Sequence, residues 1–120
     1  MPYTGSVAIP EEIRADAETA IGEFCRQHSS AEGADAPRYT YAFETNALLL
    51  LEQRPSFMKA GDWTSKPIAR FRYSEARNVW SVYWRDANDK WHRVSNVVSE
   101  KNIRTLLDVV VKDPVGVFWS

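Results

Sequence analysis

Residues 66–93 combine the two side-chain types that a single-stranded nucleic-acid site requires. Six aromatic residues alternate there with seven Lys and Arg residues, against only three Asp and Glu residues. Bases stack on aromatic rings for about 1–3 kcal/mol each, and basic side chains neutralise phosphates. The segment therefore predicts a site for single-stranded nucleic acid or another anionic ligand. The candidate ligand-binding residues are Arg70, Arg72, Tyr83, Arg85, Trp91, His92 and Arg93.

Strand alternation offers a competing interpretation of the same segment. A nucleic-acid platform needs rings and basic groups on one exposed face, because both must touch the same ligand. Phe71 is expected to point away from Arg70, whereas Tyr83 and Arg85 share a side. In the competing interpretation, the arginines form a solvated face and the tryptophans fill the core. The core face would then consist of Trp80, Val82 and Trp84.

His92 is the candidate general base if the protein is an enzyme. Asp86 is expected nearby across a hairpin and would orient the imidazole. However, no Ser, Cys or Thr stands in a recognisable nucleophile elbow, so we predict no catalytic residue. Two His and one Cys are too few for a structural zinc site, and we predict neither a metal nor a cofactor. Cys25 lies on an apolar helical stripe, where a buried, inert thiol is expected.

A loop predicted over 54–65 carries the large apolar side chains Phe57, Met58 and Trp63. These side chains either fold back on the core as a lid or contact another protein chain. The function that we favour at this stage is a non-catalytic protein-interaction or homodimerisation domain that uses the sheet face and this loop. Nucleic-acid binding through 66–93 and an enzyme that uses His92 are the alternatives.

The spacing of apolar residues predicts an α+β domain with both helices on one face of the sheet. A helical stripe predicts a first helix over 10–28, and a second stripe predicts another over 99–112. Between them, a period of two from 38 to 94 predicts an antiparallel meander of five strands, with Pro67 opening the third strand. Residues 1–8 are expected to form a flexible tail.

Composition narrows the class of protein. The 120 residues are 44% hydrophobic, 26% charged and 12% aromatic, which is typical of one soluble domain over 1–120. The longest apolar run, 47–51, is too short to cross a bilayer. One cysteine and no visible signal peptide favour the cytoplasm.

The net charge of −1 conceals two oppositely charged segments. Residues 1–65 carry a balance of −5, whereas residues 66–93 carry +4. A basic segment of this kind indicates either an anionic partner or an acidic part of the same chain that packs against it. The sequence leaves both explanations open.

A tryptophan-rich centre and an aromatic C-terminal motif distinguish the second half of the chain. The centre reads W-S-V-Y-W-R-D over 80–86 and continues with Lys90-Trp91-His92, and Asp113-Pro114 later leads to Phe118-Trp119. In these motifs the stretch 49–119 resembles a family of small bacterial proteins described as a domain of unknown function. The resemblance implies a bacterial cytoplasmic protein of about this length, and it implies no activity, cofactor or catalytic residue.

Overall fold

The computed structural model describes residues 8–29, 37–95 and 97–119. The tail predicted over 1–8 therefore lies outside the described residues, except for its last residue. The elements are α1 (Glu11–His28), β1 (Arg38–Phe43), β2 (Ala47–Pro55), β3 (Trp63–Ser74), β4 (Val79–Arg85), β5 (Trp91–Arg93) and α2 (Ile103–Lys112). The five strands form one antiparallel sheet, and the helices pack against it. This confirms the predicted α+β fold.

Helix α1 follows directly from its residue pattern. Pro10 precedes the first turn, where its missing N–H costs nothing, and Glu11 and Glu12 lie at the positive end of the helix dipole. One stripe of side chains is buried against the rest of the protein. It consists of Ala17, Ala20, Ile21, Phe24 and Cys25. The predicted apolar stripe is thus the face by which α1 joins the core.

Helix α2 begins at Ile103 and not at residue 99, so its predicted start is wrong. The side chain of Asn102 accepts a hydrogen bond from the backbone N–H of Arg104 and caps the helix. Before this cap the chain is still extended, and Glu100 exchanges two backbone hydrogen bonds with Trp80, of 2.7 and 2.9 Å. The residues assigned to the first helical turn therefore prolong the sheet beside β4.

The strands follow one another across the sheet in the order β1-β2-β3-β4-β5. Asn78, between β3 and β4, and Asp89, between β4 and β5, have positive φ angles of 54° and 65°. Asn and Asp tolerate this left-handed backbone better than other non-glycine residues. These turn residues therefore support the meander that the sequence predicts.

The hairpin formed by β2 and β3 is longer than predicted. β3 begins at Trp63, four residues before Pro67, where the sequence predicts its start. β2 continues to Pro55, which pairs with Trp63. The connecting loop therefore covers only residues 56–62, and Trp63 belongs to the sheet.

A β-bulge lies in the middle of β3. Leu51 pairs with Pro67. The preceding residue, Leu50, pairs with Ala69, so that Ile68 is an additional residue in the ladder. Proline cannot donate to a strand ladder and is tolerated at bulges. Pro67 thus marks an irregularity within β3 and not the beginning of the strand.

One face of the sheet packs on both helices and forms the core. Leu48 of β2, Phe71 of β3 and Val82 of β4 lie side by side in one row across it. Trp80 is only 2% exposed, and its ring contacts that of Tyr73 at a centroid distance of 5.1 Å. Trp80 therefore fills the interior, as the competing interpretation of 66–93 predicts, whereas Trp84 is half-buried and packs against the core.

The C-terminal residues fold back on the core around Asp113. Its backbone is left-handed, with a φ angle of 43°, and ends α2. Its carboxylate accepts hydrogen bonds from the backbone N–H groups of Val117, Phe118 and Trp119. The indole N–H of Trp119 also donates to the carbonyl of Val110 at 2.8 Å. The D-P…F-W motif is therefore a structural hook that places Phe118 in the core.

We expect Trp80→Ala to lower the free energy of unfolding by about 3–5 kcal/mol, because the substitution empties a large, fully enclosed volume. Urea denaturation followed by circular dichroism measures this loss. Phe57→Ala is the matched control, because Phe57 is 97% exposed and its removal should change stability by less than about 0.5 kcal/mol. Equal effects of the two substitutions would contradict the assignment of Trp80 to the core.

Candidate functional site

The side of the sheet that faces away from α1 and α2 collects most of the candidate ligand residues. We call this side the outer face. It includes Arg38, Leu49, Trp63, Arg70, Arg72, Tyr83, Arg85, Trp91 and Arg93. Six of the seven residues predicted to bind a ligand lie on it, and His92 does not.

A single row of side chains crosses four strands at the centre of the outer face. Leu49 pairs with Arg70, Arg70 with Tyr83, and Tyr83 with Arg93. Neighbouring strands are roughly 4.8 Å apart, so the Tyr83 ring stands between two guanidinium groups. Trp91 lies diagonally from Tyr83, at roughly 7–8 Å, which is within reach of a large ring. The register thus brings two half-buried rings and two arginines into one patch.

Two arginines of the outer face are held by carboxylates at its borders. Arg70 Nε lies 3.0 Å from Glu44 Oε1, in the connection between β1 and β2. Arg85 lies 2.8 Å from Asp89 Oδ1, in the turn between β4 and β5. Both pairs are partly exposed, so they contribute little to stability. They do fix where these two guanidinium groups stand.

Arg72 and Arg93 have no carboxylate within ion-pairing distance among the described residues. Arg93 donates one hydrogen bond to the hydroxyl of Ser99 at 2.7 Å, and Ser99 in turn hydrogen-bonds Ser81. The positive charge of both guanidinium groups is therefore not balanced locally. Such groups are suited to bind an anionic ligand.

Trp63 stands at the far end of the outer face under a guanidinium group. The Arg38 guanidinium carbon lies 3.4 Å from the centroid of the Trp63 ring. Arg38 is not among the candidates predicted from the sequence, because it lies 25 positions from Trp63 and the two residues meet only through β2. The alternation of Arg38 with Tyr39, Tyr41 and Phe43 is the one signal that places it on this face.

Phe57 and Met58 project from the loop over 56–62 and are 97% and 82% exposed. The interpretation of the loop as a lid on the core is therefore wrong for both side chains. Exposed large apolar side chains are typical of contact surfaces. The alternative, a contact with another protein chain, stays a prediction.

His92 lies on the helix-covered side of the sheet, apart from the other six candidate ligand residues. Its Nε2 is 2.6 Å from Asp86 Oδ2, and its ring packs on Trp84 at 4.9 Å between centroids. The other oxygen of Asp86 accepts the backbone N–H groups of Asn88 and Lys90. The hydrogen bond from His92, with these backbone bonds, lowers the pKa of Asp86 to about 2. The His92–Asp86 pair thus links β5 to the end of β4 and stabilises the hairpin between them.

Among the residues that the structure describes, the other reactive side chains form no second site. Burial raises the pKa of the Cys25 thiol to about 11, so the thiol stays protonated at neutral pH. Within residues 8–29, 37–95 and 97–119, no group of three or more His, Cys, Asp or Glu side chains is arranged to hold a metal ion. A groove of about 420 Å³ opens beside the C-terminal hook, lined by Lys66, Trp84, Asp86 and Phe118 among others. Its charges are mixed and define no ligand.

The chain belongs to a family described as a domain of unknown function, DUF3024, whose model matches residues 9–120. This agrees with the resemblance found in the sequence. No curated protein and no solved structure matches the chain. In the part of the chain that the structure describes, no helix is long and apolar enough to cross a membrane.

Acid should loosen the β4–β5 hairpin through Asp86. The pKa of Asp86 is about 2 in the folded protein, below the ordinary value of 3.8 that applies to the unfolded chain. The hydrogen bonds of its carboxylate therefore stabilise the fold above about pH 4. This stabilisation is lost as the pH falls from about 4 to 2. A titration of the Asp86 carboxyl carbon by NMR, with the amide signals of Asn88 and Lys90, measures it.

Asp86→Asn is the control for this titration, because the amide has no proton to gain. In this variant, the part of the change in the Asn88 and Lys90 amide signals that follows the Asp86 carboxyl carbon in the natural protein should disappear. A carboxyl carbon of Asp86 that titrates at 3.8 in the natural protein would contradict the proposed role of the hydrogen bonds.

Proposed function

We propose that the protein binds single-stranded nucleic acid on the outer face. The observation that carries the proposal is the central row, in which Tyr83 stands between Arg70 and Arg93 with Trp91 beside it. Bases stack on ring faces, and phosphates accept hydrogen bonds from guanidinium groups. The two kinds of side chain needed for a single strand are thus supplied at neighbouring positions.

The open shape of the outer face favours a single strand over a duplex. In the described residues, both helices lie on the opposite side of the sheet, so the rings face outward. A duplex hides its base faces in the stack and is read in its grooves by inserted helices or ribbons. Exposed aromatic rings on a sheet instead stack on unpaired bases, as in other sheet-based RNA-binding modules.

The overall charge of −1 does not oppose this function, because charge is separated between the faces. Five arginines lie on the outer face, where the carboxylates that contact them are Glu44 and Asp89. Exposed acidic residues are concentrated on α1, on the other side. They are Glu11, Glu12, Asp16, Glu18 and Glu23. A local positive field is sufficient to attract a polyanion.

An enzymatic role of His92 is not part of this proposal. His92 and Asp86 hydrogen-bond each other on the side of the sheet away from the central row. A strand bound to Tyr83 and Trp91 would not reach them. The hydrogen bonds that His92 and Asp86 form in the β4–β5 hairpin give both residues a structural role.

A contact with another protein chain is the second candidate function, and the exposure of Phe57 and Met58 favours it. The two side chains are adjacent at the tip of the β2–β3 hairpin, away from the central row. A contact there is compatible with a ligand on the outer face. This candidate therefore adds to the first proposal and does not replace it.

We expect binding of a long oligothymidylate to weaken steeply with salt. If three to five arginines contact phosphates, the logarithm of the binding constant should fall with the logarithm of the salt concentration at a slope of about −2 to −3.5. Tryptophan emission and fluorescence anisotropy of a labelled strand measure this dependence. The absence of any binding at low salt would overturn the proposed function.

Single substitutions on the outer face should divide into two classes. Tyr83→Ala or Trp91→Ala should weaken binding by roughly 5- to 100-fold with little change in the salt slope, because each removes a stacking ring. Arg72→Gln should reduce the salt slope by about 0.7, because it removes one phosphate contact. Arg26→Gln, an exposed position on α1, is the matched control and should bind like the natural protein.

Substitution at the hairpin tip tests the second candidate. If Phe57 and Met58 mediate self-association, the protein should scatter light as a dimer at high concentration, and F57S/M58S should scatter as a monomer. Met58→Leu, which keeps the apolar surface, is the control and should leave the dimer intact. A natural protein that is monomeric at high concentration would exclude homodimerisation through this tip.

A further inference from the structure

We propose that Arg38 and Trp63 form a second base-stacking subsite on the outer face, so that the preferred ligand is a strand long enough to reach both subsites. This inference rests on the proposed binding of single-stranded nucleic acid. The first subsite is the pair Tyr83 and Trp91, and the second lies at the opposite end of the sheet. The length of strand that binds tightly is then set by the distance between them.

The geometry of the Arg38–Trp63 pair leaves its ligand-binding groups free. The guanidinium carbon lies 3.4 Å from the centroid of the indole ring. At this distance an N–H group pointing into the ring would not fit, so the guanidinium lies flat with one of its two planar faces on the indole. Its five N–H donors lie in the guanidinium plane and point away from the ring. Arg38 is exposed and has no carboxylate within ion-pairing distance among the described residues. A charged group held flat in this way has one face and its in-plane donors open to solvent.

A guanidinium presented in this way can bind both parts of a nucleotide. A base can stack on the open planar face, because unpaired bases stack on guanidinium planes as well as on aromatic rings. A neighbouring phosphate can accept hydrogen bonds from the in-plane N–H groups. The indole beneath fixes the plane of the guanidinium before the ligand arrives. Less conformational entropy is then lost on binding.

The separation of the two subsites corresponds to a short single strand. Trp63 lies seven residues before Arg70 along β3. Trp91 pairs with Arg85, two residues along β4 from Tyr83, so it is displaced from the central row toward the end of the sheet that carries Trp63. Strand rise and strand spacing then place the two subsites about 18 Å apart. Sites of roughly 4–16 nucleotides are usual for modules of this kind.

The surface between the subsites is suited to a strand that crosses it without specific contacts. Leu51 and Pro67 form a pair there, and Gln53 pairs with Ser65. None of these four side chains is charged, and the pair at the centre is apolar. None of the four therefore carries a negative charge that would repel a polyanion.

A length series of oligothymidylates tests the inference. The affinity of the natural protein should rise gradually for the shortest strands and then increase by about tenfold once a strand reaches the second subsite. In Arg38→Gln this increase should disappear, whereas the affinity for the shortest strands that bind should stay unchanged. Arg54→Gln is the matched control, because Arg54 lies at the same end of the sheet, on the opposite face and paired with Glu52. It should keep the increase.

The outcomes separate the two proposals. If no strand of any length binds the natural protein, the proposed function fails together with this inference. If strands bind but Arg38→Gln lowers the affinity for all lengths by the same factor, the inference alone is overturned, because Arg38 then acts only through general charge. A natural protein whose affinity shows no increase with length would also overturn it.

A second variant checks that the effect comes from stacking on the indole. Trp63→Leu keeps an apolar side chain of the β3 strand but removes the ring that holds the guanidinium flat. It should reduce the increase with length, and the circular dichroism spectrum should show that the sheet is intact. A full increase in Trp63→Leu would show that Arg38 needs no platform and would overturn the assignment of the pair as one subsite.

Discussion

Both helices pack against the same side of the five-stranded sheet, and this one-sided cover determines where every strand residue stands. Successive side chains of a strand point to opposite faces, so alternate residues must be apolar enough for the core. Trp80 and Val82 satisfy this requirement beneath the helices, at 2% exposure each. The strand residues between them point to the other face, so they do not have to be apolar. The helix-covered face is therefore built for stability, and the outer face is free to carry charge.

The bulge at Ile68 decides which residues of β3 share the outer face. Before the bulge the odd-numbered residues, such as Trp63, point outward, and after it the even-numbered residues, such as Arg70, do so. Ile68 and Ala69 are both buried although they are adjacent, which is the mark of this change of phase. Without it Trp63 and the arginines of β3 would lie on opposite faces. The proposed ligand surface depends on this one additional residue.

The sequence allows much of the fold to be predicted, because its two periodicities are clear. The apolar stripe of α1 and the alternation through β1 and β4 place the helix and the strands at nearly the observed bounds. The start of α2 is missed because Ser99 resembles a cap, whereas Asn102 performs the capping and Glu100 pairs with Trp80. Capping residues are common in loops, so their type alone does not fix a helix start.

The outer face is predicted only in part, for a related reason. Strict alternation assigns Tyr83, Arg85, Trp91 and Arg93 correctly, because β4 and β5 are regular. It fails at Trp63, which alternation alone separates from Arg70. For His92, which follows Trp91, alternation gives the other face, and His92 lies there. Contacts such as Arg38 with Trp63 depend on register across three strands. A pattern read along one chain does not contain that register.

The additional residue in β3 also has an evolutionary consequence. Substitutions change one side chain at a time and leave the phase of the strand intact, so the two faces can diverge independently. A deletion of one residue at the bulge would exchange the two faces of the part of β3 that precedes it, because a slip of one position reverses the direction of every side chain in a strand. Trp63 would then point toward the core. The phase of β3 is thus insensitive to substitutions but sensitive to any change in the length of this strand. Relatives of the protein should keep the spacing between Trp63 and Arg70 even where neither residue is retained.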